Sequence, residues 1–421
     1  MSATATENEH EYTEHTAHAA HTETPHEVLE HEKQSLLKQP MAVWATAIAA
    51  TFAFMGIGLV DPILPAIAEN LQAGPSEVSL LFTSYFLVIA FAMLLTGWVS
   101  SRIGGKKTLL IGLALIVAFA TLSGLSGTVA QLVGFRAGWG LGNALFVATA
   151  LAVIVGAASG GTTTAIILYE AALGLGISLG PILGALLGGW QWRAPFFGTA
   201  VLMALAFIAC LTLLPKSTIP AKKTRLRDPL IALGHKGLRS AAFSAFFYNF
   251  GFFTILAFTP FILNAGPYAI GAIFFGWGLA LAFTSVVVAP ILQQKFGTTW
   301  VLVGTLVAIA IILTLLGLFA TTNITAVIIL VIISGGLLGI NNTLYTELAM
   351  NVSDAPRPVA SAGYNFVRWM GGAVAPFLAA KLGENFGAAV PFFAAALAVL
   401  ISALVIGLGW KYLHTHEPEA L

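Results

Sequence analysis

Four ionisable residues stand inside long apolar stretches of the chain: Asp61, Arg136, Glu170 and Arg368. A charge at the centre of a hydrocarbon layer costs roughly 2.5–3.5 kcal/mol on insertion scales, so it is retained because it is paired or because it works. Carboxylates and arginines within reach of one another can do proton chemistry. Moving an arginine toward or away from a buried carboxylate changes whether that acid holds a proton. Asp61 and Glu170 are the candidate acids, and Arg136 and Arg368 the candidate cations. Glu170 could be the counterion of Arg368, unless a substrate supplies the charge that Arg368 faces. For each the competing reading is a static ion pair that orients helices. Glu347 is a further candidate, although its place near the end of an apolar stretch suits snorkelling to water or holding a gate better than proton coupling.

Membrane helices must position these groups. The chain has 421 residues, 58% of them hydrophobic and 9% charged, with a mean hydropathy of +0.89. A soluble domain carries about 25% charged residues to hydrate its surface. The solvent of this chain is lipid. About 20 apolar residues cross the hydrocarbon core as a helix. Spans are expected at 41–66, 77–100, 107–126, 129–154, 163–188, 194–214, 239–264, 268–292, 298–320, 324–350, 358–381 and 388–411. The expected fold class is an all-α membrane protein of twelve transmembrane helices. Its 43 glycines suit close helix–helix approach. The single cysteine, Cys210, rules out an internal disulfide and a cysteine metal cluster and reads as packed.

Basic residues set the expected orientation. With the N-terminus in the cytoplasm, fifteen of the nineteen lysines and arginines fall in inside segments. Only Arg193 and Lys381 fall outside. Both termini should then be cytoplasmic, in a multi-pass protein of a bacterial inner or plasma membrane. Residues 1–40 hold eight glutamates, two lysines and six histidines (His10, His15, His18, His21, His26 and His31), the composition of a disordered tail. The histidines lack a fixed metal-ligand spacing such as HExxH, so no metal site is assigned and a solvated acidic tail is favoured over weak metal or pH sensing.

The longest break, Pro215 to Arg239, carries seven basic residues and one acid, Asp228. It separates a bundle at 41–214 from one at 239–411, with a linker at 215–238 and a tail at 412–421. The bundles read as copies. Tyr169, Gly176 and Pro181 recur as Tyr364, Gly371 and Pro376, each 195 residues on. Arg102-Ile103-Gly104 recurs as Lys295-Phe296-Gly297, and Pro62 as Pro260. Two six-helix pseudo-repeats follow.

Four motifs, in order, then carry a resemblance over residues 41–411. Asp61-Pro62-Ile63-Leu64-Pro65 closes the first span, and Gly97-Trp98-Val99-Ser100-Ser101-Arg102-Ile103-Gly104-Gly105-Lys106-Lys107 joins the second and third. Phe135-Arg136-Ala137-Gly138-Trp139-Gly140-Leu141-Gly142 lies in the fourth. Gly176-Ile177-Ser178-Leu179-Gly180-Pro181-Ile182-Leu183-Gly184 lies in the fifth. Together they resemble the major facilitator superfamily, and within it the twelve-span drug:proton antiporters. The resemblance implies the major facilitator fold, alternating access, and a fifth-span motif typical of proton-coupled exporters. It makes Asp61 and Arg136 neighbours. It also gives Gly97, Arg102 and Gly104 a gating role beside their inside-positive one. That gating is weakened because Ser101 stands where relatives carry an acid.

Gly176, Gly180 and Gly184 share one helix face, with Pro181 removing a backbone donor. Packing alone and a flexible seam between the halves are equally open readings. Glu170 lies about 240° around that helix from Gly176, free to face a cavity. The cavity is expected to take Tyr169, Asn249, Tyr364 and Asn365 as its principal lining, within a set that includes Tyr85, Asn143, Tyr248, Asn341, Asn342 and Tyr345. The expected function is proton-coupled export of small hydrophobic or amphipathic compounds. Symport uptake and export of a sugar or metabolite are the near alternatives. A membrane enzyme or non-transporting sensor is the remote one, since no nucleophile–base pair or phosphate loop is present. Expected partners are the substrate, protons and the lipid bilayer, with no nucleic acid. The chain should act as a monomer with no cofactor, the proton gradient being its energy source.

Overall fold

The computed structural model describes residues 38–159, 161–215 and 225–413, except for the side chains at 161–164, 166, 167 and 170. Residues 1–37 of the tail, with all six of its histidines, therefore lie outside the described residues, as do 216–224 of the linker, whereas Gln39 at the tail's end is buried and bonded to the Ser159 backbone. Among the described residues, twelve helical spans cross the fold. Spans one to six are Met41–Asn70, Pro75–Ile103, Gly105–Leu125, Val129–Ala157, Gly161–Trp190 and Ala194–Leu213. Spans seven to twelve are Lys236–Leu263, Pro267–Phe296, Thr298–Phe319, Ile324–Asn351, Arg357–Phe386 and Val390–Leu413. Eleven are long and apolar enough to cross a membrane. Span eleven falls short because it carries Tyr364, Asn365 and Arg368. It is nevertheless packed among the others, against spans two, seven and ten.

Local chemistry fixes the helix starts. Glu77 in the first turn of span two accepts from the Gly74 amide at 3.1 Å. Thr128 caps span four through the Gln131 amide, and Asn323 caps span ten through that of Ala326.

The repeat is physical as well as textual. Gly104 and Gly297, each ahead of the third span of its half, share φ/ψ near 88/151° and 76/154°. That region is essentially glycine-only, and other residues there cost about 1–3 kcal/mol. Gly104→Ala and Gly297→Ala should each lower the melting temperature of the purified protein. An unchanged transition in both would mean the turns relax freely.

Two spans depart from the expected unbroken helices. Span one stops at Gly58, passes through a 3₁₀ turn at Asp61–Ile63 and resumes at Leu64–Asn70. Pro62 and Pro65 lack the N–H that a continuous helix needs. The matching Pro260 stays inside a continuous helix, so the two halves differ at this pair. Span eight contains a π-turn at Thr284–Val288. From within it the Thr284 hydroxyl donates to the Gly336 carbonyl at 2.6 Å, and Ser285 shares a hydrogen bond with Thr343.

Spans two and eleven form one seam between the halves, and spans five and eight the other. On the face away from the termini, the Ser76 amide donates across the first seam to Glu384 at 2.8 Å. Glu384 also pairs with Lys381 at 3.5 Å. A hydrogen bond to a charged group contributes about 1.5–3 kcal/mol. Glu384→Ala should therefore loosen this face. Thiol labelling of a cysteine introduced at Ile63 should accelerate roughly tenfold, the equivalent of about 1.4 kcal/mol. The native Cys210 is buried and adds little background. Unchanged labelling would remove Glu384 as a latch.

Candidate functional site

Asp61 sits at the break in span one, fully buried, with neither carboxylate oxygen hydrogen-bonded. It lines a cavity of about 10 Å³ with Ile57, Gly58, Ile177 and Pro181 from its own half and Phe252, Leu256 and Trp277 from the other. That volume is about one water. The Trp277 indole N–H in the same wall is also buried without an acceptor. The seam passes through the site.

Arg136 is also fully buried, but the expected contact with Asp61 is not made. Among the described residues the ion pair within 4.0 Å is Lys381–Glu384. The guanidinium instead lies 4.3 Å from the Tyr85 ring centre and 4.5 Å from that of Trp139. Its Nη1 reaches the Gly56 carbonyl at 3.4 Å. Two aromatic faces and the loosened end of span one hold it away from the acid.

Glu170 lies in span five, and its side chain is outside the described residues. Arg368 is half-buried in the middle of span eleven and is held by amides. Its Nε donates to Asn249 Oδ1 at 3.4 Å and its Nη2 to Asn342 Oδ1. Asn249 returns a bond to the Arg368 carbonyl at 3.0 Å. Asn249 is thus a fully buried brace for the arginine and does not line open space. Tyr364 is 1% exposed with a partnerless hydroxyl, whereas half-buried Asn365 donates to Ser361. Tyr169 packs edge-on against Phe54 at 5.7 Å. Glu347 is exposed and accepts from Gln293 at 2.9 Å, as suits a gate or a snorkelling group.

The fifth-span glycines face span one of their own half. A Cβ on Gly176 would stand 2.5 Å from the Thr51 carbonyl oxygen, and one on Gly180 2.6 Å from that of Met55. One on Gly184 would meet the carbonyl of Leu59. Toward span eight the same helix presents Ser178 to Gly278 and the Pro181 carbonyl to Gly271, while the Pro181 ring packs on Gly58 of span one. In this conformation the three glycines thus pack on span one of their own half.

The loop after span two also closes on itself. Ser101 donates to the Trp98 carbonyl at 2.9 Å, and Arg102 lies 4.0 Å over the Trp98 ring. Lys106 binds the Leu211 and Leu214 carbonyls that end span six. Gly97 is exposed on span two. With Ser101 in place of an acid, no ion pair from this loop reaches the second half among the described residues.

Sequence reading missed the aromatic layer between the halves. Phe86 of span two stacks on Trp369 of span eleven, with centroids 5.2 Å apart and planes 14° apart. Among 29 phenylalanines and nine tryptophans nothing in composition singles these out. The repeat offered a clue to Trp277. Gly140 packs on the Tyr85 carbonyl as Gly335, 195 residues on, packs on that of Trp277.

The family model described as Major Facilitator Superfamily matches residues 46–264 and 241–421. The chain is 52% identical over 382 residues to the multidrug efflux protein YfmO of Bacillus subtilis (strain 168), covering 91% of this chain and 96% of the relative. The tetracenomycin C resistance and export protein of Streptomyces glaucescens is 32% identical over 41% of this chain and 33% of its own length. Among solved structures, a D-xylose–proton symporter superposes with a TM-score of 0.74 at 15% identity, over 88% of this chain and 97% of that one. The broken first span, the paired halves and the motif order thus coincide with a whole-length match, and the chain belongs to the Major Facilitator Superfamily.

Proposed function

We propose that the protein is a proton-coupled antiporter that exports small hydrophobic or amphipathic compounds by alternating access. The carrying observation is Asp61, a buried carboxyl without a hydrogen-bond partner in a cavity walled by both halves. Rocking the halves apart removes Phe252, Leu256 and Trp277 from its surroundings and admits water. Its hold on a proton then changes with the conformation that exposes substrate. Glu170 is the second proton site in this reading. Arg136 tunes Asp61 through space. The 52% identity to a multidrug efflux protein supports export over uptake.

The bundles at 41–214 and 239–411 are the rocking bodies of a monomer with both termini in the cytoplasm. No cofactor is used, and the proton gradient supplies the energy. The test uses inverted membrane vesicles energised by respiration. Adding a transported compound should dissipate the proton gradient, and cells lacking the protein should become more sensitive to that compound. A panel of inhibitory compounds that neither dissipates the gradient nor separates the two strains overturns efflux.

A further inference from the structure

We propose that the Arg368 cluster is a recognition site for the anionic headgroup of an aromatic or amphipathic substrate, such as an aryl carboxylate. The proposal names the substrate class of the exporter and depends on the export reading only for placing the site on the transport path. The repeat shows that the scaffold does not require a cation here, since the position 195 residues earlier is Leu173. The guanidinium is fixed by two neutral acceptors, Asn249 and Asn342, which orient its charge and do not cancel it. Among the described residues no carboxylate comes within 4.0 Å of it. Nη1 is left without an acceptor among those residues, so part of the donor fork remains free for a ligand.

The surroundings match the same chemistry. The Tyr364 hydroxyl and the Trp369 indole N–H are both buried without a partner. Their ring centres stand 5.9 and 5.4 Å from the guanidinium carbon. Phe86 brings an apolar ring from the other half onto Trp369. A half-buried cation with unused donors beside flat aromatic faces suits a planar acid, because a guanidinium can engage a carboxylate in two parallel hydrogen bonds. A cationic drug would meet like charge there.

The experiment compares three probes of one ring system: 2-naphthoate, 2-naphthamide and 2-naphthylmethylammonium. Binding to purified full-length protein is followed by quenching of tryptophan fluorescence. Naphthoate should bind at least about tenfold more tightly than naphthamide, and the ammonium more weakly than either. Arg368→Gln should bring naphthoate down to naphthamide's affinity, leaving naphthamide unchanged, while Arg368→Lys keeps the charge and only part of the preference, because an ammonium cannot make the two parallel hydrogen bonds. Should Arg368→Gln not fold, the wild-type ranking and Arg368→Lys still decide. Equal binding of the three, a preference for the ammonium, or no saturable naphthoate binding overturns the proposal. The same probes in proteoliposomes with an imposed proton gradient separate the two readings. Charge-selective binding without gradient-driven export sinks the antiport and leaves the site standing. Export without charge preference does the reverse.

Discussion

Asp61→Asn should abolish concentrative transport while the purified protein keeps both its fold and its substrate binding. Each net charge moved down 100 mV supplies about 2.3 kcal/mol. That energy sustains a concentration ratio of roughly fifty, since 1.36 kcal/mol is tenfold. An asparagine cannot carry the proton, so in proteoliposomes with an imposed gradient the ratio should fall to about one. Equilibrative exchange can continue. The fold should survive because Asp61 makes no ion pair within 4.0 Å and accepts no hydrogen bond. Breaking a contacting buried pair would cost about 3–5 kcal/mol, since it leaves an uncompensated charge. The two readings of Asp61 therefore diverge in one pair of measurements. A static helix-orienting pair predicts a large loss of thermal stability with coupling unaffected in the protein that folds. The proton site predicts lost coupling at nearly unchanged stability. Concentrative transport that persists in Asp61→Asn moves the proton assignment to Glu170, where Glu170→Gln is the matching variant.

How far the sequence reached depended on the range of each interaction. Span positions agree closely because hydropathy is a property of the segment itself, summed over about 20 residues. The repeat was legible because glycine and proline constrain the backbone wherever they stand, as Gly104 and Gly297 do. Pro62 and Pro65 mark the break in span one, but hydropathy does not register it, because the apolar composition runs straight through the two missing donors. Side-chain pairing was the least legible layer. An Asp61–Arg136 pair was expected, but the guanidinium lies over the rings of Tyr85 and Trp139 and no hydrogen bond reaches the acid. Asn249 was expected to face substrate and is instead spent on Arg368. Both outcomes depend on rotamers set by other spans, which no local pattern encodes.

Gly184→Val should be among the most destabilising single changes in the first half. Thr51, Met55 and Leu59 present carbonyls four residues apart on span one, and Gly176, Gly180 and Gly184 meet them four apart on span five. In a membrane, where lipid is as apolar as the helix, such close approach is a main source of helix association. The obstacle at Gly184 is backbone, so no rotamer change can make room. Overpacking of this kind costs typically about 1–3 kcal/mol, and more when the neighbour cannot move. The variant should show a lower unfolding temperature and less monodisperse protein. Gly371→Val should behave alike in the second half, because its Cβ would meet the Phe246 carbonyl. Gly304→Val is the control, since nothing lies within 4 Å of a Cβ there. If Gly184→Val folds as well as Gly304→Val yet loses transport, the glycine face is a moving seam after all. Equal stability and full transport would leave the fifth-span motif without a packing role. The expected order, both motif variants destabilised and the control not, would make the glycines the means by which span five is held to span one, leaving Ser178 and the Pro181 carbonyl to meet span eight.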